Sequence, residues 1–206
     1  MKLFAVFSLA AIAAVGFGQS FANPTIIAIP FTGTSGASTP SNISVSGITD
    51  PITNITVDLF FLTHTFPDDI DVLVVGPTGA SVILMSDVGS SFDVQGINLK
   101  FDDLAPNSLP DAALLTSGTW KPTNIGTGDT WTGAPAGPYG AALTPLYGLN
   151  PNGTWTLYIQ DDLGGDIGLL DGGWQINFRT QPVPEPATLV ALGVGALALL
   201  RKRRKA

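Results

Sequence analysis

The sequence of 206 residues contains no cysteine and only one histidine, His64. The absence of cysteine excludes a disulfide framework and thiolate metal sites, so no Cys/His ligand set can form. Charged residues make up 12% of the chain, against about 25% in ordinary globular proteins. The length predicts one domain of ordinary size with processing segments at its ends.

The few charges are distributed unevenly along the chain. Between Asn23 and Gln181 there are three basic residues, fifteen aspartates and no glutamate, which gives this body a net charge of −12. Five of the nine basic residues stand together at 201–205. A body this acidic repels phosphate backbones, so we expect no nucleic-acid partner.

The first 22 residues predict a signal peptide. One lysine precedes an apolar run over 3–17, and Ser20 and Ala22 place small residues where signal peptidase requires them. We therefore predict that signal peptidase cuts after Ala22 and that the body is exported. A lead-in containing Gly, Ser, Thr and Pro, residues 23–40, precedes the folded domain.

The C-terminal end, residues 183–206, combines three features in order. Val183-Pro184-Glu185-Pro186 comes first, an apolar run of 14 residues follows at 187–200, and basic residues complete the segment. The run is shorter than the roughly 20 residues of a membrane-spanning helix. The positive-inside rule leaves the basic end in the cytoplasm. This pattern resembles the PEP-CTERM sorting signal of Gram-negative bacteria.

The resemblance implies processing by an exosortase in the inner membrane, near Pro-Glu-Pro and alongside exopolysaccharide production. It implies a precursor anchored through 187–200, transiently or permanently, and delivery of the body to the cell surface or extracellular matrix. The prolines suit such a signal because neither can continue a helix, so the processed region stays extended.

Seven short segments of the body have the pattern of β-strands. They are 42–46, 55–62, 70–74, 81–85, 97–101, 155–159 and 174–178. Gly, Pro, Asn and Asp clusters separate them, and no helical period runs past about ten residues. The pattern predicts an all-β sandwich with Trp155 and Trp174 in its core. The Gly/Pro-rich segment 122–150 is predicted to be a long loop across one end of the sandwich.

Three segments of the body together resemble the P domain, also called Homo B, of proprotein convertases. They read ITVDLFFLTHTFPDDIDVLVVGPTGASVILM, INLKFDDLAP and LYGLNPNGTWTLYIQDDLGGDIGLLDGGWQINF. In the first, His64 ends one strand, Asp69 opens the next, and Gly76-Pro77-Thr78-Gly79 forms the turn. The resemblance covers about 41–180 and implies a jelly-roll sandwich of about eight strands, similar to galactose-binding-type domains.

No catalytic residue is predicted. The stretch GTSGASTP at 33–40 is similar to the nucleophile motif of subtilisin-type proteases, but an extra residue separates Ala37 from Pro40. A serine nucleophile needs a histidine and a carboxylate, which subtilases place before the serine. Only 34 residues precede Ser35, and His64 follows it. We interpret Ser35 as a loop residue and His64 as a structural hydrogen-bonding residue, in keeping with the P-domain pattern.

Two groups of aspartates suggest a calcium site. The candidate ligands are Asp69, Asp71, Asp161, Asp162 and Asp166. Calcium takes six to eight oxygen ligands in irregular geometry, which carboxylates in glycine-containing loops supply. The alternative is that these aspartates begin turns and keep an exported protein soluble.

The sequence thus predicts an exported, non-enzymatic β-sandwich that binds polysaccharide or a surface protein. Its P-domain resemblance leaves a second hypothesis, an accessory role beside a co-secreted serine endopeptidase. A purely structural matrix protein is the third hypothesis. The three differ in partner, and fold resemblance alone does not choose among them.

Overall fold

The computed structural model describes residues 18–29, 36–37, 40–129 and 131–180. Most of the predicted leader, Ser35 and the predicted sorting segment 183–206 lie outside these residues. The strands are β1 (Gly18–Asn23), β2 (Ile27–Ile29), β3 (Gly36–Ala37), β4 (Ser41–Val45), β5 (Ile52–His64), β6 (Ile70–Val75), β7 (Ser81–Ser86), β8 (Val94–Phe101), β9 (Gly118–Trp120), β10 (Thr123–Asn124), β11 (Gly153–Asp161), β12 (Gly168–Leu170) and β13 (Trp174–Thr180). Two 3-10 helices, Pro67–Asp69 and Thr144–Leu146, complete the described elements.

The strands form two sheets that enclose one core. The first sheet has the order β1-β13-β5-β12-β2, with β8 also beside β5 and β9 beside β8. The second has the order β10-β7-β6-β11-β3, with β4 also beside β11. This architecture confirms the predicted all-β sandwich. All seven predicted strands are present, and the elements that sequence reasoning missed are mostly two or three residues long.

Alternating burial explains why these segments are strands. In β11, Trp155, Leu157 and Ile159 face the core, and in β13 Trp174, Ile176 and Phe178 do so. Both tryptophans also satisfy their indole N–H groups. Trp155 Nε1 donates to the carbonyl oxygen of Pro151 at 2.8 Å, and Trp174 Nε1 donates to Ser41 Oγ at 3.0 Å. The prediction that both are core aromatics is confirmed.

The long loop lies in a different place from the predicted one. Strand β6 reads IDVLVV and is buried on both faces. Its outward-facing Leu73 and Val75 pack with Ile83 and with Trp131, which comes from the Gly/Pro-rich segment. The part of the segment around Trp131 therefore covers the outer face of the second sheet, whereas the sequence predicted a crossing at one end. Continuous apolar strands require such a cover on both faces.

The structure describes part of the predicted N-terminal leader but none of the predicted C-terminal apolar run. Strand β1 contains Ala22, the residue of the predicted cleavage, and pairs it with Gln175 of β13. At the other end, the predicted apolar run at 187–200 lies outside the described residues. Among the residues that the structure does describe, no helix is long and apolar enough to cross a membrane.

Candidate cation site and adjoining cavity

Three carboxylates from separate segments converge on the outer face of the second sheet. Asp71 lies on β6, Asp87 directly follows β7, and Asp129 lies in the segment after β10. One carboxylate oxygen of each lies within 4.8 Å of the others. Strand β10 pairs in parallel with β7, Asn124 opposite Ser86, and so carries the segment of Asp129 back to Asp87.

Each of these carboxylates is oriented by a neighbouring polar group. Gln160 Nε2 donates to Asp71 Oδ2 at 3.3 Å, and Ser86 Oγ donates to Asp87 Oδ2 at 3.1 Å. Asn124 Nδ2 donates to Asp129 Oδ2 at 2.9 Å. Gly126, at a φ of +87°, lets the chain pass close, since a Cβ there would lie 3.3 Å from Asp87 Oδ2.

The three carboxylates stand in an open acidic cleft of about 460 Å³. Six aspartates line this acidic cleft, Asp68, Asp71, Asp87, Asp111, Asp129 and Asp162, and no basic residue of the described chain does. Gln160 and residues 125–128 complete the lining. The acidic cleft therefore offers oxygen ligands in number and repels anions.

Burial makes these negative charges costly. It raises the pKa of Asp71 to about 7, with smaller contributions from the charges of Asp162, Asp129 and Asp87, while a hydrogen bond from Ser86 opposes the change. Burial likewise raises the pKa of Asp87 and of Asp162. A cation bound among the carboxylates would relieve both the desolvation and the repulsion.

The structure divides the five predicted calcium ligands into two groups. Asp71 and Asp162 line the acidic cleft. Asp69 and Asp161 are buried, and Asp166 accepts a hydrogen bond from Thr65 Oγ1 at 2.8 Å. The division follows from strand alternation: Asp71 faces outward beside its partner Gln160, whereas Asp161, one residue further along β11, faces His64.

In the second group, Asp161 lies beside a buried histidine. His64 Nε2 lies 3.4 Å from Asp161 Oδ2, and both side chains are inaccessible to solvent. The backbone N–H of Phe66 donates to His64 Nδ1 at 3.1 Å. Burial raises the pKa of Asp161, which the charge of His64 opposes. This arrangement ties the end of β5 to the end of β11, in agreement with the structural role predicted for His64.

Asp69 and Asp161 both have buried carboxylate oxygens that lack a hydrogen-bond partner among the described residues. These are Oδ2 of Asp69 and both oxygens of Asp161. Burial raises the pKa of Asp69 to about 7, and the charges of Asp161 and Asp162 add to the effect. The pair Asp69 and Asp161 therefore destabilises the fold when both are charged.

An aromatic cavity adjoins the acidic cleft. It has a volume of about 570 Å³ and shares residues 126–129 with the acidic cleft. Trp131 and Tyr139 line it and meet edge to face, with ring centroids 4.9 Å apart. Trp131 Nε1 and Asn124 Oδ1 are buried with no hydrogen-bond partner in the described chain. The residues that line the aromatic cavity thus include one buried N–H donor and one buried oxygen acceptor without partners among the described residues.

Sequence reasoning missed Asp87 and Asp129 as members of the three-carboxylate cluster. Neither belongs to a cluster of aspartates in the sequence, because both lie far along the chain from Asp71. A signal was nonetheless present. Asp87 follows the predicted strand at 81–85, and Asp129 lies in the run IGTGD, whose glycines are typical of a ligand loop.

Comparison with known proteins confirms the C-terminal prediction. Residues 182–205, including Val183-Pro184-Glu185-Pro186, match the PEP-CTERM protein-sorting motif. The motif indicates an exported protein of a Gram-negative bacterium, which passes through a membrane-anchored precursor and is processed by an exosortase. Fold and motif together define an exported β-sandwich protein with a C-terminal sorting signal.

The other comparisons add little. No curated protein matches the sequence. Among solved structures, a chain in the crystal structure of the Aeromonas sobria serine protease (ASP) and chaperone (ORF2) complex is similar, at 14% identity with a TM-score of 0.38. The similarity covers 81% of this chain and 26% of that chain, so this chain spans about a quarter of its length.

Proposed function

We propose that this protein is a non-catalytic surface or matrix module that binds polysaccharide, with calcium ordering its binding loops. The observation that carries the proposal is the convergence of Asp71, Asp87 and Asp129 next to the aromatic cavity. The sorting motif supports the proposal because it indicates export of the body across the inner membrane.

The distances suit calcium. Oxygen ligands lie about 2.3–2.6 Å from Ca²⁺, so any two of them are at most about 5 Å apart. The mutual separation of 4.8 Å or less among the three carboxylates falls within that limit. Asp68 and Asp162 stand nearby in the acidic cleft and can add oxygen ligands, directly or through water. The ion would hold the 125–129 segment against the sheet.

The aromatic cavity suits a sugar. A pyranose ring presents apolar C–H faces and hydroxyl groups that both donate and accept. Tyr139 and Trp131 supply the apolar wall, and Thr127 and Asp129, which also line the cavity, supply polar groups. Ligand sites typically combine an apolar lining with a few such polar groups.

The non-catalytic part of the proposal is supported by His64. A general base must reach substrate, and this histidine is fully buried with Asp161 and Phe66 as its partners. No second histidine exists in the sequence to serve instead.

We also infer that residues 41–180 form a P/Homo B-like module. His64 ends β5, Asp69 directly precedes β6, and the turn at 76–79 joins β6 to β7 with a hydrogen bond from Gly76 N to Ala80 O of 2.8 Å. These placements agree with what the sequence resemblance implies. An accessory role beside a co-secreted protease is the alternative that a negative glycan result would favour.

The test is affinity electrophoresis of the exported protein in gels containing the source organism's exopolysaccharide. We expect slowed migration with millimolar calcium and normal migration with chelator. Asp129→Asn removes one ligand oxygen and is expected to abolish the calcium effect. Asp93→Asn, at an exposed aspartate outside the acidic cleft, is the matched control and is expected to migrate like the unmodified chain.

A melting experiment separates the two parts of the proposal. A ligand that binds only the folded state raises the melting midpoint. If calcium raises the midpoint of the unmodified chain but not of Asp129→Asn, while migration never changes, the calcium site stands and the glycan is excluded. If calcium changes neither property, both parts are wrong, and a co-purifying protease becomes the partner to seek.

A further inference from the structure

Strand β1 is an integral edge of the first sheet. It pairs with β13 along its whole length, from Gly18 opposite Arg179 to Asn23 opposite Trp174. Ser20 Oγ donates to Asn177 Oδ1 at 2.7 Å. The Phe21 ring packs edge-on against Phe178, with centroids 6.1 Å apart. It is partly buried and packs against the hydrophobic core.

Cleavage after Ala22 would remove this strand and leave only Asn23 of it. The edge of β13 would then present unpaired N–H and C=O groups, because its other side is already occupied by β5. Exposed edge strands promote pairing with other chains, and native proteins cover them. The loss of the Phe21 ring would also uncover part of Phe178, which is fully buried. The folded body therefore favours a cut that leaves nearly all of β1 on the mature chain.

The sequence offers such a bond four residues earlier. Gly16 and Gly18 place small residues at the two positions that signal peptidase reads, at the end of the apolar run. We propose that signal peptidase hydrolyses the Gly18–Gln19 bond, so that the mature chain begins at Gln19. Water is consumed, Gly18 keeps the new carboxylate, and Gln19 gains the free amino group. Residues 19–23 then remain as the edge strand of the mature protein.

The test is to identify the first residue of the full chain after export in a Gram-negative host. N-terminal peptide mapping by mass spectrometry distinguishes the candidates, since starts at Gln19 and Asn23 differ by the four residues Gln-Ser-Phe-Ala. A first residue of Gln19 supports the proposal. A first residue of Asn23, or any other, overturns it.

A pair of variants tests the same bond independently. Both Gly18 and Ala22 lie on the exposed side of β1, so a glutamate at either position is compatible with the fold. Gly18→Glu is expected to block removal of the signal peptide, because the residue before the cut must be small. Ala22→Glu is expected to mature normally. Blocked maturation in Ala22→Glu with normal maturation in Gly18→Glu would overturn the proposal.

Discussion

At the scale of single residues, Gly168 leaves no room for a side chain beside His64. Gly168 lies on β12 directly opposite His64 of β5. A Cβ at position 168 would stand 2.1 Å from His64 Cδ2 and 2.6 Å from the carbonyl oxygen of Thr63. Glycine is required here because the buried imidazole occupies the space of a side chain.

Replacing this glycine tests how tightly His64 is held. Gly168→Ala is expected to lower the free energy of unfolding by about 3 kcal/mol, since overpacking forces backbone and imidazole apart. Gly140→Ala is the control, because an added Cβ there meets nothing within 4 Å, and its effect is expected to stay within about 0.5 kcal/mol. Urea unfolding measures both. Equal stabilities for the two variants would contradict the prediction and show that the surroundings of His64 accommodate an added methyl group.

At the scale of elements, the segment after β10 contributes both to the acidic cleft and to the packing of the second sheet. It carries Asp129 to the acidic cleft, and it places Trp131 over Leu73, Val75 and Ile83 on the outer face of the second sheet. Trp131 is only 7% exposed although it belongs to no strand or helix. The packing of this ring therefore fixes the position of the segment and of its carboxylate.

Truncating Trp131 is expected to loosen both features. Trp131→Ala removes a buried aromatic side chain, which costs about 3 kcal/mol of unfolding free energy. Leu114→Ala, at a leucine that is 51% exposed, is the control and is expected to change stability little. The Trp131 variant should also show a smaller rise in melting midpoint with calcium. A loss of stability no larger than that of the control would mean that the packing of Trp131 on the outer face of the second sheet does not stabilise the fold.

At the scale of the whole molecule, the body carries a large excess of negative charge, and part of it is buried. Asp69 and Asp71 each have a pKa of about 7 in the fold, above the ordinary aspartate value of 3.8, chiefly because of burial. Between those two values the folded chain binds more protons than the unfolded chain. Stability in the absence of a cation therefore falls as the pH rises through this window.

Thermal melting in chelator is expected to show this dependence. The midpoint should be higher at pH 5 than at pH 8, because at pH 8 both carboxylates are charged in the fold. Asp71→Asn removes one titrating group and is expected to flatten the slope. Added calcium is expected to raise the midpoint most at pH 8, where the ligands are ionised. A midpoint that rises from pH 5 to pH 8 in chelator would contradict these pKa values.

Much of the fold could be predicted from the sequence because strand alternation is a local property. The segments around Trp155 and Trp174 repeat apolar residues with a period of two, and one buried face per strand is enough to predict a sandwich. Short strands such as β3 and β10 carry no such period, since two residues cannot alternate measurably. Their existence depends on the neighbour that each one pairs with.

The candidate site, like the fold, could be predicted from the sequence only in part. The sequence by itself determined the acidity of the body, the sorting signal, the buried tryptophans and the presence of Asp71 and Asp162 among the candidate ligands. Only the tertiary structure separated Asp161 from Asp71, because the side of a strand on which a residue lies depends on register. It also brought Asp87 and Asp129 together, since lateral pairing of β10 with β7 joins residues that are 42 positions apart.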